Sequence, residues 1–434
     1  MEPKTVMQFN FIANAKIPSA SGRTLPVIDP SDGQAYDEIQ RSNAADLDEA
    51  VAAAQQCQFA TWQKLGAAER GRLLQRLAQK VTEHAEELAA IEQRDCGKPT
   101  RQARADAHAL ALYFEFYAGA ADKLHGETIP YQSGYSVLTW REPHGVTGHV
   151  VPWNYPMQIF GRSVAAALAR HPGIDHISFT GSPNVGTLIQ QAAAERHCPV
   201  TLELGGKSPQ IVFADADLDA AILAIVNAIV QNSGQTCSAG SRLLVERAIY
   251  EPLLDRLGAA FAALRVGPAR LDLDVGPLIR ASQQQRVWDF LSAAQVAGIP
   301  MVAQGQIVDE APETGFYQAP TLLRDVPPEH RLAREEVFGP VLAAMAFDDE
   351  AHAVALANGT DFGLVAGVWT RDGGRQLRMA RQLQSGQVFI NNYGAAGGVE
   401  LPFGGVKSSG HGREKGFEAL YGFTTLKTVA IHHG

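Results

Sequence analysis

Between residues 146 and 204, short apolar runs alternate with helical patterns, and this alternation constrains the fold more than any other feature of the chain. Three runs predict strands and two predict helices: strands at 146–151, 174–180 and 199–204, and helices at 156–170 and 184–196. Strands that are separated by helices pair in parallel, because each helix carries the chain back across one face of the sheet. The chain is therefore expected to fold as an α/β protein.

The remaining chain extends this pattern. Helices are predicted over 46–96 and over 218–231, where Asp215 or Asp217 can serve as the N-cap. Alternation of helices and strands continues almost to the C-terminus, and 423–431 alternates like an edge strand or a strand shared between subunits. A chain of 434 residues is long enough for two or three domains, of which at least two are expected to contain a sheet.

Composition argues against several classes of function. The net charge is −9 and no run of five or more basic residues occurs, so nucleic acid and anionic membranes are poor partners. No apolar stretch reaches the roughly 18 residues of a spanning helix, and the N-terminus does not resemble a signal peptide. Cys57, Cys96, Cys198 and Cys237 show no CxxC spacing, which disfavours a metal site or a disulfide framework and fits a reducing cytoplasm.

Cys237 is the first candidate for chemistry. It follows an apolar helix in QNSGQTCSAGSR, within a loop rich in Gly, Ser and Thr. A thiolate in such a loop would be nucleophilic, and the surrounding backbone N–H groups could stabilise an oxyanion. The alternative is a small buried core residue, which cysteine statistics alone favour.

Two further candidates follow apolar strands. Glu203 in VTLELGGKSP lies at the carboxyl end of a strand, where α/β sheets place active-site groups, and partial burial would raise its pKa and suit general-base catalysis. Asn154 in VPWNYP could donate its amide to a developing oxyanion. The alternatives are a strand-end acid that faces water and an Asx-turn before Pro156.

The sequence EEVFGP offers a candidate binding pair. Glu336 could bind ribose hydroxyls and Phe338 could pack on a flat ring, although a solvated acid beside a core phenylalanine is the alternative. Gly410, Gly412 and Gly416 approach the GxGxxG fingerprint, but their spacing is one residue too long and they do not open a helix after a strand. We therefore reject these glycines as a dinucleotide site.

Taken together, six motifs resemble those of the aldehyde dehydrogenase superfamily and occur in its order: PWNYP, FTGSPNVG, LELGGKSP, GQTCSAGSR, EEVFGPV and LPFGGVKSSGHGRE. The resemblance extends over nearly the whole chain. It implies a Rossmann-type parallel sheet, a second α/β catalytic domain and a small oligomerisation arm. The implied boundaries are 1–124 and 144–205 for the dinucleotide-binding domain, 206–408 for the catalytic domain, and 125–143 and 409–434 for the arm.

The resemblance also implies a mechanism for oxidising an aldehyde to a carboxylic acid. Cys237 attacks the aldehyde carbon, and the oxyanion of the thiohemiacetal is held by the Asn154 side chain and the Cys237 backbone N–H. Hydride transfer to a nicotinamide leaves a thioester, and Glu203 activates the water that releases the acid. Glu414 is implied as a proton-relay acid, although the family often has a lysine where Ser163 stands.

The implied cofactor is NAD or NADP, with NAD favoured. Glu336 would hold the nicotinamide ribose, Phe338 would pack beside the ring, and Ser182 would meet the pyrophosphate at a helix N-terminus. The other implied cofactor residues are Val151, Pro152, Trp153, Phe179, Gly181, Val185, Leu204 and Gly205. Tyr155 and Phe403 indicate an apolar, partly aromatic substrate tunnel, which favours an uncharged aliphatic or aromatic aldehyde.

The sequence departs from the family at AAALARHPGID, residues 165–175. Family members continue from AAALA into a strand that ends in a Lys-Pro-x-Glu motif, then a helix, a strand and a second helix, and this chain has none of them. We expect an internal deletion of roughly fifty residues after 169, more than one βαβ unit. It would truncate the sheet, leave the strand at 146–151 as an edge and impair cofactor binding.

The sequence therefore predicts a cytoplasmic aldehyde dehydrogenase that acts on a small-molecule aldehyde as a homodimer or homotetramer, with no metal, nucleic acid or membrane. Whether the truncated chain completes NAD-linked turnover is left open. The alternative is a catalytically silent or esterase-only relative that acts as a subunit or binding partner.

Overall fold

The computed structural model of the protein describes residues 8–162 and 173–434, and its first part is largely helical. Two hairpins, four helices and two further strands come first: β1 (Asn10–Ile12), β2 (Ala15–Ile17), β3 (Thr24–Ile28), β4 (Ala35–Gln40), α1 (Ala44–Ala60), α2 (Ala67–Glu83), α3 (Ala85–Cys96), α4 (Thr100–Ala120), β5 (Thr128–Ile129) and β6 (Tyr135–Pro143). The predicted helical region 46–96 is confirmed as three helices. The last of them ends at Gly97, whose left-handed φ of 72° suits glycine.

The alternation from which the fold was predicted is confirmed in the next segment. It contains β7 (Thr147–Val150), α5 (Pro156–Arg162), β8 (His176–Thr180), α6 (Pro183–Ala194) and β9 (Val200–Glu203). The three strands pair in parallel, with β8 in the middle and all five of its residues buried. The rest of the predicted helix 156–170, and the predicted deletion point after 169, lie outside the described residues.

The following segment, residues 209–390, contains the strands of a second and larger sheet together with three shorter strands outside it. Its elements are β10 (Pro209–Val212), α7 (Leu218–Val230), β11 (Arg242–Glu246), α8 (Tyr250–Ala262), β12 (Arg265–Val266), α9 (Ala281–Val296), β13 (Met301–Gln304), β14 (Gln306–Ile307), β15 (Thr321–Leu323), α10 (Arg331–Arg334), β16 (Val341–Phe347), α11 (Glu350–Asn358), β17 (Phe362–Gly363), β18 (Val365–Trp369), α12 (Gly373–Gln382) and β19 (Gln387–Ile390). Seven strands pair in the order β13-β15-β16-β11-β10-β18-β19, all parallel except β13. Of the two predicted caps, Asp217 caps α7, whereas Asp215 binds Thr370 and Arg375.

The chain ends with β20 (Val406–Lys407), β21 (Gly410–His411), α13 (Glu418–Gly422) and β22 (Thr424–His432). β22 pairs with β6 along its whole length, and β5 joins them in a three-stranded arm. This confirms the strand predicted in the tail. None of the described helices is both long and apolar enough to cross a membrane.

The four-stranded sheet has the order β21-β9-β8-β7. Within the described residues, β7 pairs with β8 alone, as expected for a strand left at an edge. On the other side, β21 adds antiparallel to β9, a pairing that the sequence did not indicate. β9 is therefore an inner strand, and Glu203 at its end is paired on both sides, with Thr180 and Gly410.

Candidate active site

The parallel strands of the four-stranded sheet end at a cavity of about 2020 Å³. Common ligand pockets measure about 300–1,000 Å³, so this one is large enough for a small substrate together with a second, longer molecule. One wall consists of residues that follow β7, β8 and β9, and loops of the larger sheet form the opposite wall. Four of the predicted catalytic and binding residues share this lining: Asn154, Glu203, Cys237 and Glu336.

Cys237 lies in a loop that is held in a strained conformation. Asn232 and Ser233 have φ of 47° and 57°, which non-glycine residues rarely adopt. Hydrogen bonds hold them there: Asn232 Nδ2 donates to the Asn154 carbonyl at 2.8 Å, and Ser233 Oγ donates to the Gly276 carbonyl at 2.8 Å. The loop thereby presents Cys237 to the cavity.

The Cys237 thiol is the favoured form at neutral pH. Burial raises its pKa to about 12, with a lesser opposing effect from Arg162. Removal of the proton therefore requires a nearby base. Because Cys237 is only half-buried and lines the cavity, the alternative of a closed core cysteine is wrong.

Asn154 is fixed against the same loop. Its side chain is buried, and Nδ2 donates to the Gln235 carbonyl at 2.9 Å. This contact crosses between distant parts of the chain, so the alternative of a local Asx-turn before Pro156 is not what is observed. One N–H of the amide is used in this bond, and the second N–H remains available to another acceptor.

Glu203 is buried without a hydrogen bond. Only 1% of the residue is exposed, and neither carboxylate oxygen has a hydrogen-bond partner within the described residues. Burial raises its pKa well above the usual range, and the neighbouring Glu414 carboxylate adds to the shift. A Cβ at Gly404 would come within 2.5 Å of Oε1, so only glycine leaves room for this carboxylate. The alternative of a water-facing acid is wrong.

Behind Glu203, Glu414 forms an ion pair that the sequence did not reveal. Its Oε1 accepts from the hydroxyls of Ser178 at 3.3 Å and Thr180 at 3.2 Å, both on β8. Its Oε2 lies 3.4 Å from Nη1 of Arg162, whose side chain is also buried. The cation is thus supplied by Arg162, the residue directly before Ser163. Ser163 itself lies outside the described residues.

Lys415 is a second basic residue that the sequence analysis missed. It has a left-handed φ of 61°, and its side chain lines the cavity. Nζ lies 5.4 Å from the centre of the Phe403 ring, and within the described residues the amine has no hydrogen bond or ion pair. Burial, with a smaller contribution from the neighbouring Arg162, lowers its pKa to about 7. A basic residue directly after the GRE motif was the available signal.

The predicted nicotinamide residues form one cradle. The Trp153 and Phe338 rings meet edge to face with their centres 5.6 Å apart. Glu336 Oε1 accepts from the Gly206 N–H at 2.9 Å, and burial raises the pKa of this carboxyl to about 7. A Cβ at Gly205 would come within 2.8 Å of Glu336 Oε2. Glu336 is therefore a half-buried, positioned acid rather than a solvated one.

Most of the other predicted residues also line the cavity. On the cofactor side these are Pro152, Gly181, Ser182, Leu204 and Gly205, and on the substrate side they are Tyr155 and Phe403. Phe179 lies beneath Gly181, Val151 is half-buried and Val185 is exposed, and these three do not contribute to the lining. No group of three or more His, Cys, Asp or Glu side chains in the described part of the chain could hold a metal ion.

Comparison with known proteins places the chain in a family. The family model described as "Aldehyde dehydrogenase family" matches residues 17–170 and 161–429, in two segments that overlap at 161–170, where the deletion is predicted. Human Retinal dehydrogenase 2 is 37% identical over 476 positions, covering 97% of this chain and 91% of that protein. The alignment is longer than the chain itself, which has 434 residues, so part of the relative has no counterpart here.

Solved structures agree with this assignment. A Burkholderia cenocepacia crystal structure assigned to the aldehyde dehydrogenases superposes with a TM-score of 0.97 at 65% identity, covering 98% of this chain and 100% of that one. PnpE in complex with nicotinamide adenine dinucleotide superposes with a TM-score of 0.94 at 34% identity, covering 98% of both chains.

Proposed function

Since the chain belongs to the aldehyde dehydrogenase family, we propose that it oxidises a small aldehyde to the carboxylic acid through Cys237, with NAD or NADP as the hydride acceptor. One aldehyde, one water and one oxidised nicotinamide give one acid, one reduced nicotinamide and one proton. The observation that supports this most directly is the convergence of Cys237, Asn154 and Glu203 on one cavity beside Glu336.

The first step forms a bond between Sγ of Cys237 and the aldehyde carbon. The free N–H of Asn154 and the backbone N–H of Cys237 would stabilise the resulting oxyanion, an effect typically worth about 10²–10³ in rate. The thiol must lose its proton, and the ionised form of Glu203 is the acceptor that we assign. Arg162, Arg413 and Lys415 all act to lower the pKa of Glu203, which helps to ionise it.

The second half releases the product from Cys237. Because neither oxygen of Glu203 is hydrogen-bonded, the carboxylate is free to take a proton from the water that attacks the thioester. Glu414 would receive the excess proton by way of Thr180 or bridging water, and Arg162 would keep Glu414 charged between turnovers.

The residues present fit the nicotinamide half of a dinucleotide. When bound, NAD or NADP would supply the hydride acceptor, and the similar structure of PnpE is a complex with nicotinamide adenine dinucleotide. Glu336 would bind the ribose, Trp153 and Phe338 would confine the ring, and Gly205 would allow close approach. Ser182 at the N-terminus of α6 would face the pyrophosphate, although Pro183 removes one of the N–H donors there.

The adenosine half is where we propose a loss of affinity. Only ten residues separate Arg162 from Gly173, and in the described part of the chain no strand lies beyond β7. A βαβ unit takes about 30 or more residues. Together with the two-segment family match, these observations support an internal deletion of roughly fifty residues. NAD would then bind weakly, and few residues would be left to discriminate between NAD and NADP.

Two variants test the proposed reaction. Cys237→Ala should abolish aldehyde-dependent NADH formation, followed by absorbance at 340 nm, because no other thiol lines the cavity. Cys198→Ala removes a partly exposed cysteine beside β9 and serves as the matched control with full activity. Equal activity in both variants would overturn the assignment. A silent or esterase-only relative is not favoured, and ester hydrolysis without any NADH formation would revive it.

Assembly and location are parts of the same proposal. The arm of β5, β6 and β22 exposes large apolar side chains, among them Trp140, Leu426 and Ile431, which a second copy could cover. We propose a homodimer or homotetramer in the cytoplasm. Light scattering after size exclusion tests the first point, since a monomer at micromolar concentration would contradict it.

A further inference from the structure

The aldehyde side of the cavity holds two cations that flank one aromatic ring. The Arg162 guanidinium lies 5.2 Å from the centre of the Phe403 ring, and Lys415 Nζ lies 5.4 Å from the same centre. Both side chains line the cavity together with Cys237. They come from distant parts of the sequence, the end of α5 and the segment after β21, so the fold brings them together.

The charges around these two cations do not balance. Glu414 pairs with Arg162 through Nη1, but the buried Nε of Arg162 has no hydrogen-bond partner within the described residues. Lys415 has no ion-pair partner there, and burial raises the pKa of Glu203, which reduces the negative charge that this side chain contributes. While Lys415 is protonated, the corner formed by Arg162 and Lys415 therefore carries a net positive charge, and it also holds a buried donor without an acceptor.

Two further acids of the lining, Asp106 and Glu400, do not correct this imbalance. Asp106 is held by Lys98 in a buried ion pair and accepts from Gln158 Nε2 at 2.6 Å. Glu400 is exposed to solvent, so its charge is screened. A buried donor without a partner costs free energy, and a ligand that supplies an acceptor removes that cost.

We propose that Arg162 and Lys415 form an anion-binding corner and that the preferred substrates are aldehydes carrying a carboxylate, such as semialdehydes. This rests on the proposed function, and it replaces the expectation of an uncharged aldehyde that was drawn from Tyr155 and Phe403. Those two rings would contact the carbon chain, whereas the carboxylate would accept from the guanidinium and the ammonium. The Cys237 sulfur would attack the other end of the same molecule.

The ionisation of Lys415 gives this corner a pH dependence. Because burial lowers its pKa to about 7, the side chain is an ammonium below that pH and loses its charge above it. Arg162 stays charged throughout. Preference for the anionic aldehyde should therefore be strongest in mildly acidic buffer and should decline as the pH rises to 9.

The kinetic test compares substrates matched in size, namely succinic semialdehyde with pentanal. In the wild-type enzyme kcat/KM should favour the semialdehyde, and the ratio of the two values should fall by about 10- to 100-fold in Lys415→Met and in Arg162→Gln. An effect of Arg162→Gln on Glu414 should change kcat/KM for both substrates by the same factor, and the ratio of the two values therefore cancels it. Arg162→Lys should restore part of the ratio. A ratio that is unchanged in Lys415→Met would overturn the proposal.

A second test needs neither cofactor nor turnover. Iodoacetate and iodoacetamide differ mainly in charge, and the rate at which each alkylates Cys237 can be followed by peptide mass spectrometry. The quantity compared is the ratio of the alkylation rate with iodoacetate to that with iodoacetamide. In the wild-type protein this ratio should be higher for Cys237 than for glutathione, a reference thiol, and in Lys415→Met it should fall by about tenfold. Equal preferences in the two proteins would contradict the anion-binding corner.

The two tests separate this inference from the function on which it rests. If no aldehyde of either class yields NADH while Cys237 still favours iodoacetate in a Lys415-dependent way, the proposed reaction fails and the anion-binding corner stands. If pentanal is oxidised as well as succinic semialdehyde and alkylation shows no preference, the reaction stands and the corner fails.

Discussion

The two parallel sheets of this protein are built to different extents. The seven-stranded sheet has large apolar clusters on both faces, whereas the four-stranded sheet ends at β7, which pairs with β8 alone among the described residues. Cys237 belongs to the loops of the seven-stranded sheet, and Glu203 belongs to an inner strand of the four-stranded sheet. Strands lost beyond β7 would therefore leave the reacting groups in place and affect mainly what binds along the edge.

The largest expected effect comes from the inner strand. Glu203→Gln should lower steady-state turnover by about 10²–10⁴, because the variant cannot take a proton from water. Glu313→Gln, an exposed acid on the surface, is the control that should keep full activity. Rapid mixing with aldehyde and NAD measures the steady-state turnover of both variants. Unaltered turnover in Glu203→Gln would show that the carboxylate at the end of β9, in the four-stranded sheet, takes no part in the chemistry.

Asn154 tests the junction between the sheets. It follows β7 yet donates to Gln235 in the loop of Cys237, so a displaced edge would move it. Asn154→Ala should lower kcat by about 10²–10³ with little change in KM, since the amide is proposed to stabilise the oxyanion rather than the bound aldehyde. If kcat keeps its wild-type value and only KM rises, the oxyanion role is wrong.

Acid should weaken the smaller sheet first. His149 on β7 and His176 on β8 are buried. Burial lowers the pKa of His149 to about 4, and burial together with the nearby His144 and His149 lowers that of His176 to about 3. Both rings must stay neutral in the folded state, whereas unfolded histidine titrates near pH 6.5. Their contribution to stability is therefore present above pH about 6.5 and is lost as the pH falls.

Hydrogen exchange measures this difference between the sheets. After correction for intrinsic exchange rates, amides of β7 and β8 should lose protection between pH 7 and pH 5 while those of β10 and β11 keep theirs. His176→Gln should reduce the effect. Parallel loss of protection in both sheets would mean that the edge is no weaker than the larger sheet.

The smallest expected effect is a gain in stability. Glu203 has a raised pKa in the folded state, so the fold favours the protonated form and stability falls as the pH rises above about 4.3, the usual value for glutamate. At pH 8, Glu203→Gln should raise the melting temperature by about 2–4 °C, while activity is lost. A lower melting temperature at pH 8, with wild-type behaviour at pH 5, would contradict the burial that this account assigns to the carboxylate.

The sequence alone identified groups that lie in contiguous motifs. Cys237, Glu203 and Glu336 each follow a recognisable run, and the structure brings them to one cavity. Arg162 and Lys415 were missed because their meaning depends on a contact with Glu414 and Phe403 across the fold, which no local pattern encodes. The two-residue strand β21 was missed for the same reason, since such a short pairing leaves no periodicity to detect.

We infer that the nicotinamide half of the cofactor site is complete and that the adenosine half is not. Calorimetric titration of the wild-type protein with NAD and, separately, with nicotinamide mononucleotide tests this most directly. The two affinities should lie within about tenfold of each other, a difference of about 1.4 kcal/mol, because the adenosine would add few contacts. NAD that binds a thousandfold more tightly than the mononucleotide would contradict it.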